Sequence, residues 1–493
     1  MSDLKRLYED SFFKETWITM GVVFVASVVA SFLGGAAPAL ALAWIPLGFY
    51  YAVRAPLHIG LRMFLVLSLF IEPPEMMPGA GYWVTPLEAA NNTFYGSLKM
   101  LTGLPGLYFS LFLLIAFIFC VRARKAAKPE TKMPAARLAR RTLGITWFAV
   151  IGFEVYGILR GGKLEPSFIQ VLPLFTMPVV GYAFLMGLRG REDLYALANI
   201  IVSVAMARSV LVAWVFFIIC LPQGFRPEYA TTHGDSVTFA AAFLILLANV
   251  IEIRNRRTFW RFAIVGGGLL MAMVMNNRRL AFASIAVGAI AMYVTLPQSK
   301  TRQKVNRYLR IIIPTAGLYL FIGEGIDHPL FAPARLAWSA FAQKDESSNS
   351  RVVENENLMA TLNDFPVLGQ GFGHEYKELE KHGDISEFMP LYKYVPHNSV
   401  LWLWTVGGLV GFVLLWMGYV VATYLAARAY RFAENPVERA STLACVGMVA
   451  ICISNDWGDV GAQSNLRIVM FAVAFAVGAR VCADAELRAR AMG

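Results

Sequence analysis

Apolar runs separated by short polar segments extend along almost the whole chain of 493 residues. Each run is about 17 to 25 residues long, the length that a helix needs to cross roughly 30 Å of hydrocarbon, and about fourteen of them are present. No segment shows the alternating period of a membrane β-barrel, so helices are left to satisfy the backbone in lipid. The pattern predicts an all-α polytopic membrane protein with about 12 to 14 transmembrane helices.

The composition agrees with this prediction. Hydrophobic residues make up 57% of the chain and charged residues 16%, and the mean hydropathy is +0.54. A soluble domain of this length would expose large apolar patches with such a composition, which excludes the soluble classes of protein.

The charged residues indicate how the helices are oriented. The net charge is +11, and the basic clusters fall in every second loop, which is typical of cytoplasmic loops under the positive-inside rule. Both termini are therefore predicted to be cytoplasmic, and the basic excess needs no nucleic-acid partner. The clusters are Lys5 to Lys14, Arg122 to Arg141, Arg189 with Arg191, Arg254 to Arg261, Lys300 to Arg310, Arg428 to Arg439, and the tail from Arg480.

Motifs that would hold a cofactor are missing from the sequence. There is no HExxH, paired CxxC or DxD for a metal, and no glycine-rich phosphate loop that opens a helix after a strand. The "GQGFG" at 369–373 follows Pro366 and is more typical of a turn. The five cysteines lie within or at the ends of apolar spans and indicate neither disulfides nor a metal cluster. We predict no cofactor and no metal site.

Two loops on the predicted outer side are long, residues 73–106 and 323–397. The second holds twelve acidic and six basic residues, is too long for a connector, and predicts a folded cap. Within it, "RVVENENLMATLND" predicts an amphipathic helix with Val352, Met359 and Leu362 on its apolar face. Three units are predicted: about eleven N-terminal transmembrane helices in 1–322, the cap in 323–397, and about three helices in 398–493.

Several arginines lie on the predicted outer side, where the positive-inside rule disfavours them. Arg278 and Arg279 belong to "NNRR" at 276–279, between two apolar runs. A charge at the membrane core costs about 2.5 to 3.5 kcal/mol on insertion scales, so such residues are functional candidates by default. The pair either snorkels to lipid phosphate or clamps an anion with its forked donors. Arg226 and Arg351 are solvated or salt-bridged loop residues, or further parts of a polyanion site.

His397 has the most informative context of the six histidines. It stands in "KYVPHNSVLWLWTVGGLVG", at the mouth of an apolar span and just after Pro396. A histidine there titrates near neutrality and can accept a proton from a hydroxyl nucleophile. The alternative is a histidine that caps the helix or binds a carbonyl at the interface.

Three segments taken together resemble the superfamily of O-antigen ligases and Wzy-type O-antigen polymerases. "NRRLAFASIAVG" is similar to the family segment in which an arginine, here Arg279, starts a span. Arg351 precedes "NDFPVLGQGFG", in the order of the second family arginine and its glycine pattern. "HNSVLWLWTVGGLVG", from His397 to Gly411, resembles the third element. The resemblance covers roughly residues 222 to 415, and the chain departs from the pattern at Asn277 and Arg278, where serine is usual before the arginine.

The resemblance implies a fold similar to the C-type glycosyltransferases and an active site facing the periplasm from the bacterial inner membrane. It implies a glycan donor on undecaprenyl pyrophosphate, a glycan or lipid acceptor, and no metal. Arg279 and Arg351 would then hold the pyrophosphate with help from Arg278 and Arg226, His397 would take the acceptor's proton, and Asn398 would orient the histidine or the sugar.

Three functions stay open at the level of sequence: a polymerase, a ligase and a transporter. A polymerase of surface polysaccharide, O-antigen or exopolysaccharide repeats is favoured, but a ligase that moves the polymer to lipid A-core would use the same chemistry. A transporter or flippase for a lipid-linked anion would also use outer arginines, although no inverted repeat is visible. A flippase or a chain-length regulator is an expected partner.

Overall fold

The architecture of the protein was obtained as a computed structural model. It describes residues 13–32, 46, 48–71, 87–99, 103–104, 107–126, 128–224, 230–276, 278–326, 328, 331, 334–335, 338, 346–380 and 391–492. Arg226, Asn277 and much of the long loop predicted at 73–106 lie outside these residues.

Helices make up nearly all of the regular structure in the described part of the chain, and no strand occurs there. Nine of the helices are long and apolar enough to cross a membrane, which confirms the predicted all-α polytopic membrane fold. These spans are α1 (Phe13–Phe32), α5 (Pro134–Leu159), α6 (Leu164–Gly187), α7 (Arg191–Trp214, continued by a π-helical turn Val215–Cys220), α8 (His233–Ile253), α9 (Arg256–Met275), α13 (Ser399–Phe432), α14 (Pro436–Gly458) and α15 (Asn465–Met492).

The remaining described helices are shorter, amphipathic or peripheral. They are α2 (Leu57–Phe70), α3 (Glu88–Phe94), α4 (Leu111–Lys125), α10 (Arg279–Thr295), α11 (Lys300–Glu324) and α12 (Glu346–Asp364). Of these, α2 and α10 are apolar but short. The apolar second half of α11 is exposed at Ile312, Leu318 and Phe321, as expected of side chains that face lipid.

The C-terminal helix α15 lies at the centre of the bundle. The apolar part of this helix is buried along its whole length, and it packs against α6, α13 and α14. Its first turn carries the fully buried Arg467. Because a lone charge in lipid is costly, this arginine requires an internal partner, and Asp456 of α14 supplies it together with the hydroxyl of Tyr419.

The basic clusters from Arg122 onward gather at one end of the bundle. Arg480 pairs with Glu130 at 3.3 Å, Arg191 pairs with Glu438 at 3.2 Å, and Arg254 donates to Thr301 at 2.5 Å. The chain reaches His397 and the first turn of α13 at the other end, since α13 runs 34 residues from there to the basic end. We call these the basic end and the histidine end.

The helix α13 is broken at Gly408, whose φ of 56° and ψ of −160° are not helical. A loop of residues 366–371 fills the break with backbone hydrogen bonds. The N–H groups of Gln370 and Gly371 donate to the carbonyls of residues 405 and 406 at 3.0 and 2.9 Å, and those of residues 409 and 410 donate to the carbonyls of 366 and 367 at 2.9 and 3.1 Å. The loop therefore replaces the bonds that the broken helix gives up.

The glycines of "GQGFG" make this docking close. Gly371 has a φ of 82°, a backbone conformation that favours glycine. A Cβ on Gly157 of α5 would come within 2.2 Å of the Phe372 carbonyl oxygen. The segment is a tight, docked turn, as the sequence predicted.

The predicted cap helix exists as α12, but its three predicted apolar residues do not share one buried face. Leu362 is buried, whereas Val352 and Met359 are 54% and 42% exposed. The buried face is largely polar, because Asn357 accepts the N–H groups of residues 379 and 380 at 2.8 and 3.1 Å and Glu354 turns towards His397. The predicted boundaries at 322/323 and 397/398 stay predictions.

Candidate functional site

The site begins with a contact between the cap helix α12 and the start of α13. The carboxylate of Glu354, 2% exposed, accepts the backbone N–H of His397 at 3.1 Å. Its other oxygen lies 3.3 Å from Nδ1 of the His397 ring. The two side chains are 43 positions apart in sequence, and only the docking of α12 brings them together.

This carboxylate determines the state of the ring. An ionised carboxylate can only accept hydrogen bonds, so Nδ1 carries the proton and Nε2 keeps its lone pair. Burial disfavours the charged ring, but the hydrogen bond that the ring donates to Glu354 and the charges of Glu354 and Asp459 outweigh it, so the pKa of His397 lies above its usual value. The ring, 27% exposed, therefore holds a proton at Nε2 more strongly than a free imidazole does.

Asn398 fixes the first turn of α13 beside the histidine. Its Oδ1 accepts the N–H of Leu401 at 3.1 Å as the helix cap. Its Nδ2 donates to Oδ1 of Asn355 on the cap helix at 3.0 Å. Both of these bonds are structural, so the residue that was predicted to orient the histidine or the sugar also ties α12 to α13.

Arg351 lies one turn before Glu354 on α12. Its positive charge acts on the His397 ring and opposes the rise in the histidine pKa. The predicted loop arginine is thus close enough to the predicted base for their charges to interact.

Arg278 and Arg279 lie at the start of α10, which packs along α14. Leu280, the next residue, packs against Gly458 at the end of α14, where a Cβ would meet its Cδ1 at 2.8 Å. Asp459 follows Gly458, and its charge reaches His397. The structure therefore places the two arginines at the histidine end.

Asn276, the first residue of "NNRR", has a structural role. It is fully buried and accepts the N–H of Thr231 at 2.8 Å. Its Nδ2 donates to the carbonyl of Thr232 at 3.1 Å and to Ser236 at 2.9 Å. These bonds hold the chain before α8 against the end of α9.

Two acidic residues of the site were missed at the level of sequence. Glu354 is one of several carboxylates in the predicted amphipathic helix, and its place one turn after Arg351 and one turn before Leu358 is the signal that could have pointed to it. Asp459 is 3% exposed, and its carbonyl accepts the Ser399 hydroxyl at 3.3 Å. The acidic segment "SNDWGDVG" between two apolar spans could have pointed to it.

No group of three or more histidine, cysteine, aspartate or glutamate side chains that could hold a metal ion occurs among the described residues. The polar groups of the site are one imidazole, two carboxylates, two amides and three guanidinium groups. Such a set can hold an anion and move a proton.

The fold and the site define a polytopic membrane protein with a histidine–carboxylate pair and three arginines at one end of its helical bundle. Residues 229–416 match the family model described as O-Antigen ligase. This segment is therefore similar to an O-antigen ligase domain, and the resemblance of the chain to the O-antigen ligase and Wzy-type superfamily is confirmed. A comparison with curated proteins gave no match.

The matched segment runs from the start of α8 to the middle of α13. It contains Arg278, Arg279, Arg351, Glu354 and His397. The family indicates a membrane enzyme of the ligase or polymerase type in polysaccharide biosynthesis, with lipid-linked glycans as substrates. Asp459 lies beyond the match.

Proposed function

We propose that this protein is a metal-independent, inverting glycosyltransferase of the bacterial inner membrane. It transfers a glycan from undecaprenyl pyrophosphate to an acceptor hydroxyl at the histidine end, which faces the periplasm. The observation that carries the proposal is the contact of His397 with Glu354, on the same helix as Arg351 and at the same end as Arg278 and Arg279.

His397 serves as the general base. Its Nε2 accepts the proton of the acceptor hydroxyl while the acceptor oxygen forms a bond to the anomeric carbon. The bond between that carbon and the pyrophosphate oxygen breaks, and its electron pair leaves with undecaprenyl pyrophosphate. Attack opposite to the leaving group inverts the anomeric configuration, and the imidazolium that forms is paired with the Glu354 carboxylate.

The arginines bind and stabilise the leaving group. Charge builds on the pyrophosphate oxygen as the glycosidic bond breaks, and guanidinium forks stabilise it without a metal. Arg279 and Arg351 hold the pyrophosphate, while Arg278 and Arg226 assist. Asn398 orients the histidine or the sugar.

A lipid donor accounts for the position of the site. The polyprenyl tail stays in the bilayer beside the helices while the pyrophosphate meets the arginines at the end of α10. The gathering of the basic clusters at the opposite end supports a periplasmic orientation of the histidine end and cytoplasmic termini, because basic loops stay in the cytoplasm.

A polymerase of surface polysaccharide, O-antigen or exopolysaccharide repeats is favoured over a ligase to lipid A-core, with a flippase or a chain-length regulator as partner. The glycans of a deletion strain separate the two activities. A single-repeat product indicates a lost polymerase, and long polymer that remains on the lipid carrier indicates a lost ligase.

A transporter would use a broken helix to bind its cargo with freed backbone groups. The break in α13 at Gly408 fits this function poorly. The backbone groups on both sides of the break are already bonded to residues 366–371, so they do not line a path.

The test uses purified protein in nanodiscs with a defined undecaprenyl-pyrophosphate-linked repeat. We expect His397→Ala and Arg279→Ala each to lower the turnover by about a hundredfold or more. Arg279→Lys also lowers it, because a point charge does not reproduce the fork. Thermal stability of each variant is measured alongside, and near-normal turnover of a folded His397→Ala protein would refute the proposal.

A further inference from the structure

We propose that Glu354 is the positioning residue of the glycosyl transfer, and that it holds His397 in the tautomer and the orientation that the base requires. This inference rests on the proposed function. It assigns the carboxylate that acts on the base to the cap helix α12 and not to the membrane helices.

Both contacts of the Glu354 carboxylate are with His397. One carboxylate oxygen accepts the His397 backbone N–H at 3.1 Å, and the other lies 3.3 Å from the ring Nδ1. A carboxylate that is 98% buried must be compensated by hydrogen bonds or by charge. His397 supplies both of the contacts that the described residues give to this carboxylate.

The two contacts fix the ring in two ways. The backbone contact holds the start of α13 against α12, and the ring contact selects the Nδ1–H tautomer. The lone pair of Nε2 is then directed away from Glu354, where a substrate hydroxyl can reach it. The negative charge of Glu354 also favours the imidazolium, which makes Nε2 a stronger base.

Other charged groups around the histidine raise or lower the pKa of its ring. Asp459 at the end of α14 adds negative charge, and Arg351 on α12 adds positive charge. Tyr376, from the segment that packs on α12, lies near the Glu354 carboxylate, and burial together with this charge raises the pKa of its hydroxyl. Among these groups only Glu354 contacts the ring nitrogen.

A purely structural role for Glu354 would use the backbone contact alone. Replacement by glutamine separates the two roles, because glutamine keeps an acceptor oxygen and nearly the same shape but loses the charge. The matched control is Glu356→Gln, two positions along the same helix, where the side chain is exposed.

The first readout is turnover against pH with the full-length protein in nanodiscs. A base must be neutral, so activity rises with pH through the pKa of His397. In Glu354→Gln this rise moves to lower pH, because the charged ring has lost its anionic partner, and the maximum turnover falls. Glu354→Ala, which loses orientation as well, falls by about a hundredfold, and Glu356→Gln keeps the wild-type profile.

The second readout does not depend on activity. Diethyl pyrocarbonate modifies neutral imidazole, and mass spectrometry of the peptide that contains His397 follows the extent of modification against pH. The midpoint moves to lower pH in Glu354→Gln and stays unchanged in Glu356→Gln.

The outcomes are distinct. An unchanged midpoint and an unchanged pH profile in a folded Glu354→Gln protein overturn the positioning role and leave the glycosyl transfer intact. A shifted midpoint in a protein that turns over no lipid-linked glycan supports the contact of Glu354 with His397 but overturns the reaction to which the role is assigned.

Discussion

At the scale of single residues, the site combines one imidazole with charges of both signs from different parts of the chain. Glu354 and Asp459 raise the pKa of His397, while burial and Arg351 lower it. The net result is a raised pKa of the His397 ring. The carboxylates and the guanidinium group therefore act on the ring in opposite directions.

Arg351 provides the prediction at this scale. In Arg351→Gln the ring loses a positive neighbour, so the pKa of His397 rises and the neutral base forms only at higher pH. The midpoint of diethyl pyrocarbonate modification at His397 should move to higher pH, opposite to its movement in Glu354→Gln. Movement to lower pH in a folded Arg351→Gln protein would contradict the arrangement of charges in the site.

At the scale of elements, the broken helix α13 joins the site to the membrane. His397 and Asn398 directly precede the first turn of α13. The break at Gly408 is filled by residues 366–371. The same loop packs on α5, where a Cβ on Gly371 would lie 2.3 Å from the Cα of Gly157. The loop therefore joins α5 to the half-helix that follows the base.

Gly408→Ala tests the role of the break. The glycine has a positive φ, and a Cβ there would lie 2.3 Å from the carbonyl carbon of Val367. We expect this substitution to lower the melting temperature of the purified protein and to reduce the turnover. Backbone strain and overpacking each cost about 1 to 3 kcal/mol. We expect the free energy of unfolding to fall by more than either cost alone, because the two costs add.

Gly418→Ala on the same helix is the matched control. A Cβ at that position makes only ordinary contacts, the nearest at 3.8 Å to Phe471. Similar stability and turnover in the two alanine variants would show that the break does not position the histidine.

At the scale of the whole molecule, the basic clusters and the candidate site lie at opposite ends of the helical bundle. The described basic clusters form ion pairs and hydrogen bonds at one end, among them Arg191 with Glu438 and Arg480 with Glu130. His397, Arg279 and Arg351 lie at the other end. Most of the basic residues are thus kept apart from the candidate site, as the positive-inside rule predicts for the two ends of a membrane bundle.

Thiol labelling tests this orientation. A membrane-impermeant maleimide on intact spheroplasts should label Glu356→Cys on the cap helix and should not label Arg257→Cys at the basic end until the membrane is permeabilised. Both positions are exposed in the structure. The native cysteines are buried or half-buried, and the unmodified protein gives the background. The reverse labelling pattern would place the site in the cytoplasm.

Much of the candidate site could be predicted from the sequence because membrane insertion penalises charge. Arg279 and His397 stand out beside apolar spans, and the order of Arg279, Arg351 and His397 along the chain carries the family resemblance. Glu354 does not stand out, because carboxylates are common on the polar face of an amphipathic helix. Which face of α12 is buried depends on the hydrogen bonds of Asn357 and Thr361 with a neighbouring segment. These contacts leave no periodic pattern in the sequence.

The sequence by itself determined the helical membrane fold, the placement of basic loops on one side and the identity of the outlying cations, since each follows from the cost of exposing polar groups or charges to lipid. Only the tertiary structure decided the partners of those charges. The contact of Glu354 with His397, the pairing of Arg467 with Asp456 and the filling of the break at Gly408 all join residues from different helices or loops. Such contacts depend on how the elements dock, and no local pattern of residues encodes that docking.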